Sequence, residues 1–265
     1  PRAAHDSFGN VEEFLTRLEQ LVNMSVKINN AKRELIKKRI AVHALPLYDY
    51  GFMNLQKQYA TTGLNGINEA VEILGYDILT KDGQDIGLKI LNLVNSINDK
   101  YDEEMKYAHN CEQTPSESSA IKAAAKDHFM GINLEYDLYS NQFIPLITQA
   151  DMLDRIKLQG LFDSHFSGGA IAHLNVEQQI EDVDQLVDLI NSTVKMGVVY
   201  HAVNYMLQKC EHGHMTVGKR DTCPICNSKI TDNYTRIVGF LVNTKNAHKV
   251  RREIDIPNRQ FYKNI

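Results

Sequence analysis

The feature that most constrains this chain is a group of cysteine and histidine residues in its last quarter. Cys210 is followed closely by two histidines, and Cys223 and Cys226 form a Cys-x-x-Cys pair. Two thiolates at that spacing can chelate one tetrahedral ion, and a site built on thiolates selects zinc. Four protein ligands would close the coordination sphere and leave no position for a substrate. The spacing therefore predicts a structural zinc site in this part of the chain.

Either of two histidines could supply the fourth ligand of this site. His212 and His214 lie two and four residues after Cys210. We prefer His214 because the longer Cys-x-x-x-His gap gives the connecting loop more room, and His212 stays as the alternative. The predicted ligands are thus Cys210, His214, Cys223 and Cys226.

A second motif follows the cluster, the run 235–241 with the sequence Thr-Arg-Ile-Val-Gly-Phe-Leu. Taken alone, it predicts a short apolar strand in which Gly239 marks a bulge or a close backbone approach. A basic segment with Lys249, Arg251 and Arg252 comes next. Its simplest interpretation is a solvated tail, and a contact with phosphate or with a partner protein is the alternative.

The composition excludes several classes of protein. The 265 residues are 43% hydrophobic and 23% charged with a net charge of −4, which is ordinary for a globular protein and gives no bulk attraction to nucleic acid or membranes. No apolar run approaches the ~18 residues of a membrane span, and no signal peptide is visible. Four cysteines, three of them clustered, favour a reducing cytoplasm. Because the chain begins at Pro1, we expect it to be the C-terminal piece of a longer protein.

The body of the chain alternates helical and strand patterns. Helices are predicted from a cap at Asn10 to about Lys38, over Ile86–Asn98, over Ala150–Phe162 and over Glu177–Val194. Strands are predicted over Tyr107–Gln113, after the pair Gly168-Gly169, and over Gly197–Tyr200; residues 59–75 predict a turn entering a helix that ends at Gly75. Such alternation is typical of a parallel α/β layer structure.

One predicted helix start also has the character of a binding site. Thr114 can serve as N-cap, Pro115 as the first helical residue, and Glu117 as the third residue of a capping box. A well-capped helix is a sufficient explanation of this pattern. A strand that leads into a helix N-terminus rich in hydroxyls is also a site for an anion, because the first backbone N–H groups have no helical partner.

Four motifs and their order along the chain resemble the C-terminal part of the anaerobic (class III) ribonucleoside-triphosphate reductases, which are glycyl radical enzymes. They are Thr-Pro-x-Glu-Ser at 114–118, Gly-Gly-x-x-x-His at 168–173, the Cys/His cluster, and Arg-x-x-Gly-Phe-Leu at 236–241. The resemblance extends from Thr61 to the C-terminus. It implies the latter part of a ten-stranded α/β barrel with a small C-terminal zinc-ribbon-like module. The implied division is barrel over 1–205, zinc-binding module over 206–232, and radical loop with tail over 233–265.

The resemblance also assigns roles to single residues. Gly239 would store the radical, and glycine is suited to this because it has no side chain and its backbone can enter a crowded site. Glu112 would act as a general acid/base beside the ribose if burial raised its pKa. The substrate phosphates would be bound by Thr114, Ser116, Ser118 and Ser119. His173 would lie near the active site as a ligand, a proton carrier or a core residue.

The family implies a set of cofactors and partners. They are zinc, a glycyl radical installed by a radical S-adenosylmethionine activase, a ribonucleoside triphosphate substrate, and a thioredoxin-like dithiol or formate as reductant. A homodimer is implied, with no membrane and no direct nucleic-acid contact. The glutamate at position 112 resembles the dithiol-using branch, whereas the formate-using branch has tyrosine there.

The sequence departs from the family in two respects. The family often has four cysteines at the metal, and here one is replaced by histidine. The family's thiyl cysteine lies upstream of these motifs, and Cys111 would point away from Glu112 because neighbours on a strand alternate faces. We therefore expect the chain to be inactive alone. The alternatives are a non-catalytic protein that supplies a radical loop to another subunit, and a zinc-ribbon interaction protein.

Overall fold

In the computed structural model, which describes residues 1–263, helices alternate with short strands along most of the chain. The α-helices are α1 (Arg2–His5), α2 (Val11–Ala41), α3 (Pro46–Asp49), α4 (Ile67–Ile73), α5 (Lys81–Met105), α6 (Ser119–Phe129), α7 (Met152–Asp163), α8 (Val183–Lys195) and α9 (Ile256–Asn258). The strands are β1 (Ala60–Leu64), β2 (His109–Gln113), β3 (Ala172–Asn175), β4 (His201–Asn204), β5 (Leu207–Cys210), β6 (Met215–Val217), β7 (Ile230–Ile237) and β8 (Phe240–Asn243). Positions 264 and 265 of the predicted tail lie outside the described residues.

Leu55–Lys57 and Thr244–Asn246 are short 3-10 turns, and Arg251–Asp255 is a π-helical turn. No helix within residues 1–263 is both long enough and apolar enough to cross a membrane.

The chain divides into two compact units. The first comprises Pro1–Leu64, Ala70–Thr114 and Ser164–Gly169. Its longest elements are α2 and α5, and its sheet is the parallel pair β1–β2. The predicted N-cap of α2 is confirmed, because the Asn10 side chain accepts a hydrogen bond from the Glu13 N–H at 3.0 Å. Helix α5 is longer at both ends than predicted and packs one face into the core, through Ile86, Ile90, Leu91, Val94 and Ile97.

The predicted turn before α4 is wrong, since residues 60–64 form strand β1. The strand is possible there because Gly63 leaves room for Thr114: a Cβ on Gly63 would lie 2.0 Å from the Thr114 hydroxyl oxygen. The small and polar residues that suggested a turn instead permit close packing of a parallel strand pair. The predicted end of the following helix is confirmed, since Gly75 has a left-handed φ of +90°.

The second unit comprises Asn65–Glu69, Pro115–Asp163 and the residues from Ala170 onward. It contains the parallel pair β3–β4 and a four-stranded antiparallel sheet in the order β6-β5-β7-β8. The parallel pairs confirm the α/β arrangement inferred from alternation, and the four-stranded sheet carries the Cys/His cluster.

Two boundaries in this unit differ from the predicted ones. Helix α8 begins after Asp182, whose carboxylate accepts the Asp184 N–H at 2.8 Å, and not at Glu177. The strand expected over Gly197–Tyr200 lies at His201–Asn204. Gly197 has a φ of +90° and ends α8. The residues after it connect the helix to β4, which begins to pair with β3 at His201.

Candidate metal centre and radical hairpin

The four predicted metal ligands come together in the second unit. The Sγ or ring nitrogen atoms of Cys210, His214, Cys223 and Cys226 all lie within 4.8 Å of one another. Sγ of Cys210 is 3.8 Å from Sγ of Cys226, and Nδ1 of His214 is 3.3 Å from Sγ of Cys226. Ligands on a tetrahedron with zinc–sulfur bonds of about 2.3 Å are about 3.8 Å apart, so the donor set and its spacing fit zinc.

Local backbone bonds shape this donor set. Cys210 ends strand β5, and its N–H donates to the His214 carbonyl at 3.1 Å, which folds the first pair of ligands into a tight loop. In the second pair, the Cys223 N–H donates to the Ser228 carbonyl at 2.8 Å, and the Asn227 N–H donates to the Cys223 carbonyl at 2.8 Å. The cluster is therefore organised mainly by neighbours in sequence.

The two candidate histidines differ in position. Nδ1 of His214 lies 3.3 to 3.8 Å from all three cysteine sulfurs. His212 approaches Cys226, at 3.6 Å, and is not part of the compact group of four donors. The geometry supports His214 as the fourth ligand.

Hydrogen bonds favour the thiolate form of Cys226. The Ser228 hydroxyl at 2.9 Å and the Ser228 backbone N–H lower the pKa of Cys226 to about 5, with His212 and His214 acting in the same direction. The thiolate, which is the form that binds a metal, is therefore the dominant form at neutral pH.

Strand β7 continues from this cluster to the glycine motif. β7 and β8 form a hairpin in which Ile237 pairs with Phe240, so Val238 and Gly239 are the two turn residues. The bulge expected from the motif alone is thus a hairpin tip. The left-handed φ of 52° lies on Val238, which is unfavourable for a β-branched residue, and not on Gly239. Gly239 itself is exposed at the tip.

Glu117 is the residue of this site whose place the sequence did not reveal. A Cβ on Gly239 would lie 3.7 Å from Glu117 Oε1. That oxygen is buried and has no hydrogen-bond partner among residues 1–263. The sequence pattern predicted a helix-capping role for Glu117, and its place in the Thr-Pro-x-Glu-Ser motif was the available signal for a functional role.

The predicted capping box is not formed. Helix α6 begins at Ser119 with Ser118 as N-cap, and Ser118 makes no side-chain capping bond. Thr114 lies five residues before α6 begins, too far to cap it. Its N–H, which Glu117 would accept in a capping box, donates instead to the Leu64 carbonyl at 2.9 Å and extends the β1–β2 ladder. The candidate phosphate-binding residues therefore differ in setting: Thr114 packs on Gly63 in the first unit, Ser116 is buried with a φ of 51°, and Ser118 and Ser119 are exposed at the helix start.

Glu112 and Cys111 occupy opposite faces of β2, as strand alternation predicts. Glu112 lines a cleft of about 630 Å³ in the first unit, together with Lys32, Lys57 and Tyr59. Cys111 is fully buried, and burial, followed by the charge of Glu112, raises its pKa to about 12. The position of Cys111, buried on the face of β2 opposite to Glu112, supports its exclusion as the thiyl residue.

His173 is a core residue of strand β3. It is 3% exposed, and its backbone N–H donates to the Gln142 side-chain oxygen at 3.0 Å. Burial, then the charges of Arg259 and Arg236, lower its pKa to about 4. The ring is therefore neutral at pH 7, and its Nε2 has no hydrogen-bond partner in the described part of the chain.

Comparison with known proteins gives these residues a family context. The family model described as anaerobic ribonucleoside-triphosphate reductase matches residues 1–262. The chain belongs to this family. Comparison with curated protein sequences gave no match.

Solved structures of anaerobic ribonucleotide reductases are similar to this chain. One structure shares 37% sequence identity with a TM-score of 0.92, covering 100% of this chain and 44% of the other. The Thermotoga maritima enzyme with glycerol in the active site shares 36% identity with a TM-score of 0.87, covering 97% and 43%. The same enzyme in complex with dATP and CTP shares 37% identity with a TM-score of 0.85, covering 96% of this chain and 43% of the other. The present chain thus spans less than half the length of these reductases.

Proposed function

We propose that this chain is the C-terminal part of the catalytic subunit of an anaerobic ribonucleotide reductase. The whole protein would reduce ribonucleoside triphosphates to deoxyribonucleoside triphosphates for DNA synthesis by a glycyl and thiyl radical mechanism. The observation that carries the proposal is the exposed Gly239 at the tip of a hairpin whose β7 strand leaves a four-donor Cys/His cluster. This arrangement occurs in a chain that belongs to the reductase family over residues 1–262.

Gly239 is the proposed site of the stored radical. Its Cα lies between an amide nitrogen and a carbonyl, which together delocalise an unpaired electron. A hairpin tip presents that carbon outward, and the absence of a side chain lets the tip enter a narrow site. Zinc bound by Cys210, His214, Cys223 and Cys226 would hold the base of the hairpin and take no part in the chemistry, because four protein ligands close its coordination sphere.

The substrate would be bound by residues that precede and begin α6. The exposed hydroxyls of Ser118 and Ser119, at the start of α6, suit a triphosphate. Ser116 and Thr114 complete the proposed set. Glu117, whose buried carboxylate oxygen faces Gly239, is a further candidate for contact with the reacting substrate.

Glu112 is the proposed general acid/base. The relay runs from the glycyl radical to a cysteine thiyl radical and then to the substrate 3′-hydrogen, after which the 2′-hydroxyl leaves as water and two electrons come from the reductant. A carboxyl beside the ribose would move the proton that the leaving hydroxyl needs. The thiyl cysteine would lie outside this sequence, since three cysteines serve the metal and Cys111 is buried on the other face of β2.

The proposed partners follow from this chemistry. They are a radical S-adenosylmethionine activase, a second copy of the subunit, and a reductant that is either a thioredoxin-like dithiol or formate. Glu112 in place of tyrosine supports the dithiol. The proposed location is the cytoplasm.

Electron paramagnetic resonance tests the proposal. The longest natural form of the chain would be incubated with a radical S-adenosylmethionine activase without oxygen and frozen. We expect a doublet that is absent from Gly239→Ala and retained in Glu253→Gln, a control substitution at an exposed position. No doublet from a folded, zinc-loaded wild type would overturn the proposal and favour a zinc-ribbon interaction protein.

A further inference from the structure

The C-terminal segment contains a buried group of three charged side chains. Asp255 lies between Arg251 and Arg259, whose side chains are 8% and 1% exposed, while that of Asp255 is 7% exposed. Arg251 Nη1 donates to Asp255 Oδ2 at 2.8 Å, and Arg259 donates to both carboxylate oxygens at 2.9 and 2.7 Å. We call these three residues the ion clamp. Arg251 was expected in a solvated basic tail together with Lys249 and Arg252; the structure exposes Lys249 and Arg252 but buries Arg251.

Each arginine of the ion clamp also bonds to a backbone carbonyl in a distant part of the sequence. Arg259 Nη1 donates to the Arg236 carbonyl at 2.8 Å, directly before the hairpin tip. Arg251 Nη2 donates to the Glu117 carbonyl at 3.4 Å, directly before α6. Arg236 in turn donates from its side chain to the Gly239 carbonyl at 3.3 Å. One carboxylate therefore links the stem of the hairpin tip to the segment that carries Glu117.

The hairpin stem has a second buried anchor. The Arg236 N–H donates to the Asn204 side-chain oxygen at 3.1 Å, and the Asn204 side chain donates to Asn175 at 2.7 Å. Asn175 donates to the Gln260 carbonyl at 3.1 Å, next to Arg259 in sequence. Both the N–H and the carbonyl of Arg236 are thus held by buried groups, so the direction in which the tip leaves β7 is fixed.

Stability alone is a poor reason for such a group of charges. Taking charged side chains out of water costs several kcal/mol for each ion, and apolar replacements are often equally stable. Burial by itself would raise the pKa of Asp255, but Arg259 and then Arg251 hold that pKa below its ordinary value. The carboxylate is therefore ionised and directional, and its charge orients both guanidinium groups.

We propose that Asp255, Arg251 and Arg259 are positioning residues that hold the Gly239 tip at a set distance from the Glu117 segment. The proposal rests on the proposed function, since it concerns where the radical glycine stands relative to the substrate-binding segment. None of the three would touch the reacting atoms. They act through the carbonyls of Arg236 and Glu117.

Two variants of the full-length reductase test this role. Arg259→Lys keeps a positive charge beside Asp255 but loses the planar fork that reaches the carboxylate and the Arg236 carbonyl together. Asp255→Asn removes the charge that orients both arginines. The matched control is Glu253→Gln, which breaks an exposed ion pair with Lys249 (3.8 Å) on the same turn.

Three measurements are made on each variant: zinc content, amide hydrogen exchange of the peptide 233–243, and the glycyl radical yield by electron paramagnetic resonance. In Arg259→Lys we expect exchange at the hairpin tip to rise about tenfold and the radical yield to fall about tenfold, because small misplacements of reacting groups have effects of that order or larger. Zinc content should stay at the wild-type value. Glu253→Gln should match the wild type throughout.

The proposal is overturned if both clamp variants keep wild-type exchange and radical yield. It is equally overturned if the radical yield falls without any change in exchange at the tip. If Asp255→Asn does not fold, Arg259→Lys decides, because it leaves no buried carboxylate unpaired. If the wild type gives no doublet, the proposed function fails, while the exchange measurement still tests the ion clamp.

Discussion

The β7–β8 hairpin is held by different chemistry at its two ends. At the base, Cys210 pairs with Ile230 beside a cluster of thiolates and imidazole drawn from residues 210–226. At the tip, the Arg236 carbonyl accepts a hydrogen bond from Arg259 of the ion clamp, 23 residues away in sequence. The other arginine of the clamp, Arg251, bonds to the Glu117 carbonyl, 134 residues away. The base of the hairpin is thus organised by contacts between residues close in sequence, and the tip by contacts between residues far apart in sequence.

The two ends also differ in what they contribute. A structural zinc ion adds net free energy of folding, because its thiolate ligands are arranged only in the folded chain. A buried ion cluster roughly offsets its own desolvation and contributes mainly geometry. We infer that the proposed zinc site at the base stabilises the sheet, whereas the ion clamp fixes the position of the hairpin tip. Four experiments test this difference between the two ends of the hairpin.

The largest effect is expected at the zinc end. Cys223→Ala removes one of four ligands, and the free energy at stake is on the order of 10 kcal/mol by analogy with zinc-finger peptides. We expect loss of zinc, rapid amide exchange over β5–β8 and no radical, while exchange in β3 is unchanged. Metal analysis and hydrogen exchange measure this, with His212→Ala as the control that keeps its zinc. A Cys223→Ala protein that retained its radical would contradict the role given to the metal.

The next largest effect is expected from Asp255→Asn. Removing the carboxylate leaves two arginines buried without a counter-charge, which costs about 3–5 kcal/mol of unfolding free energy. Urea unfolding measures the loss, and Glu253→Gln should change stability by less than about 0.5 kcal/mol. Zinc content should be unaffected. Loss of zinc in Asp255→Asn would show that the two ends of the hairpin are not independent.

A pH effect of similar size is expected from His173, the buried histidine of strand β3 beside the hairpin arginine Arg236. The pKa of His173 is about 4 in the folded chain and 6.5 ordinarily, so the unfolded chain binds a proton below pH 6.5 that the folded chain does not. Stability contributed by the neutral ring is present above pH 6.5 and falls by about 3 kcal/mol between pH 6.5 and 4. His173→Gln should lose this part of the pH dependence. The other titrating groups are the same in the wild type and in His173→Gln. The test is therefore the difference between their unfolding free energies as a function of pH. A difference that did not change with pH would refute the role given to His173.

The smallest effect on stability is expected at Gly239. The glycine does not use a left-handed φ, and an added Cβ would meet only Glu117 Oε1, at 3.7 Å. Gly239→Ala should therefore change the unfolding free energy by less than about 1 kcal/mol while abolishing the radical. Thermal unfolding checks the first statement. A large loss of stability would mean that the hairpin tip needs glycine for its fold as well as for its chemistry.

Local sequence patterns accounted for much of the secondary structure. The Asn10 cap of α2, the end of α4 at Gly75 and the strand at β2 were predicted because each depends on a few neighbouring residues. The start of α6 was not predictable in this way. Thr114 has the right side chain for a cap, but its N–H pairs with Leu64, a residue 50 positions earlier, so position 114 belongs to the strand ladder and the helix begins five residues later.

The four residues of the Cys/His cluster could be predicted from the sequence alone, because ligand spacing within short loops is a local property that chain connectivity enforces. The family could be predicted in the same way, from the order of its motifs. The burial of Arg251 and the approach of Glu117 to Gly239 could be known only from the tertiary structure. Burial and long-range pairing depend on which distant segments pack together, and no pattern confined to neighbouring residues carries that information.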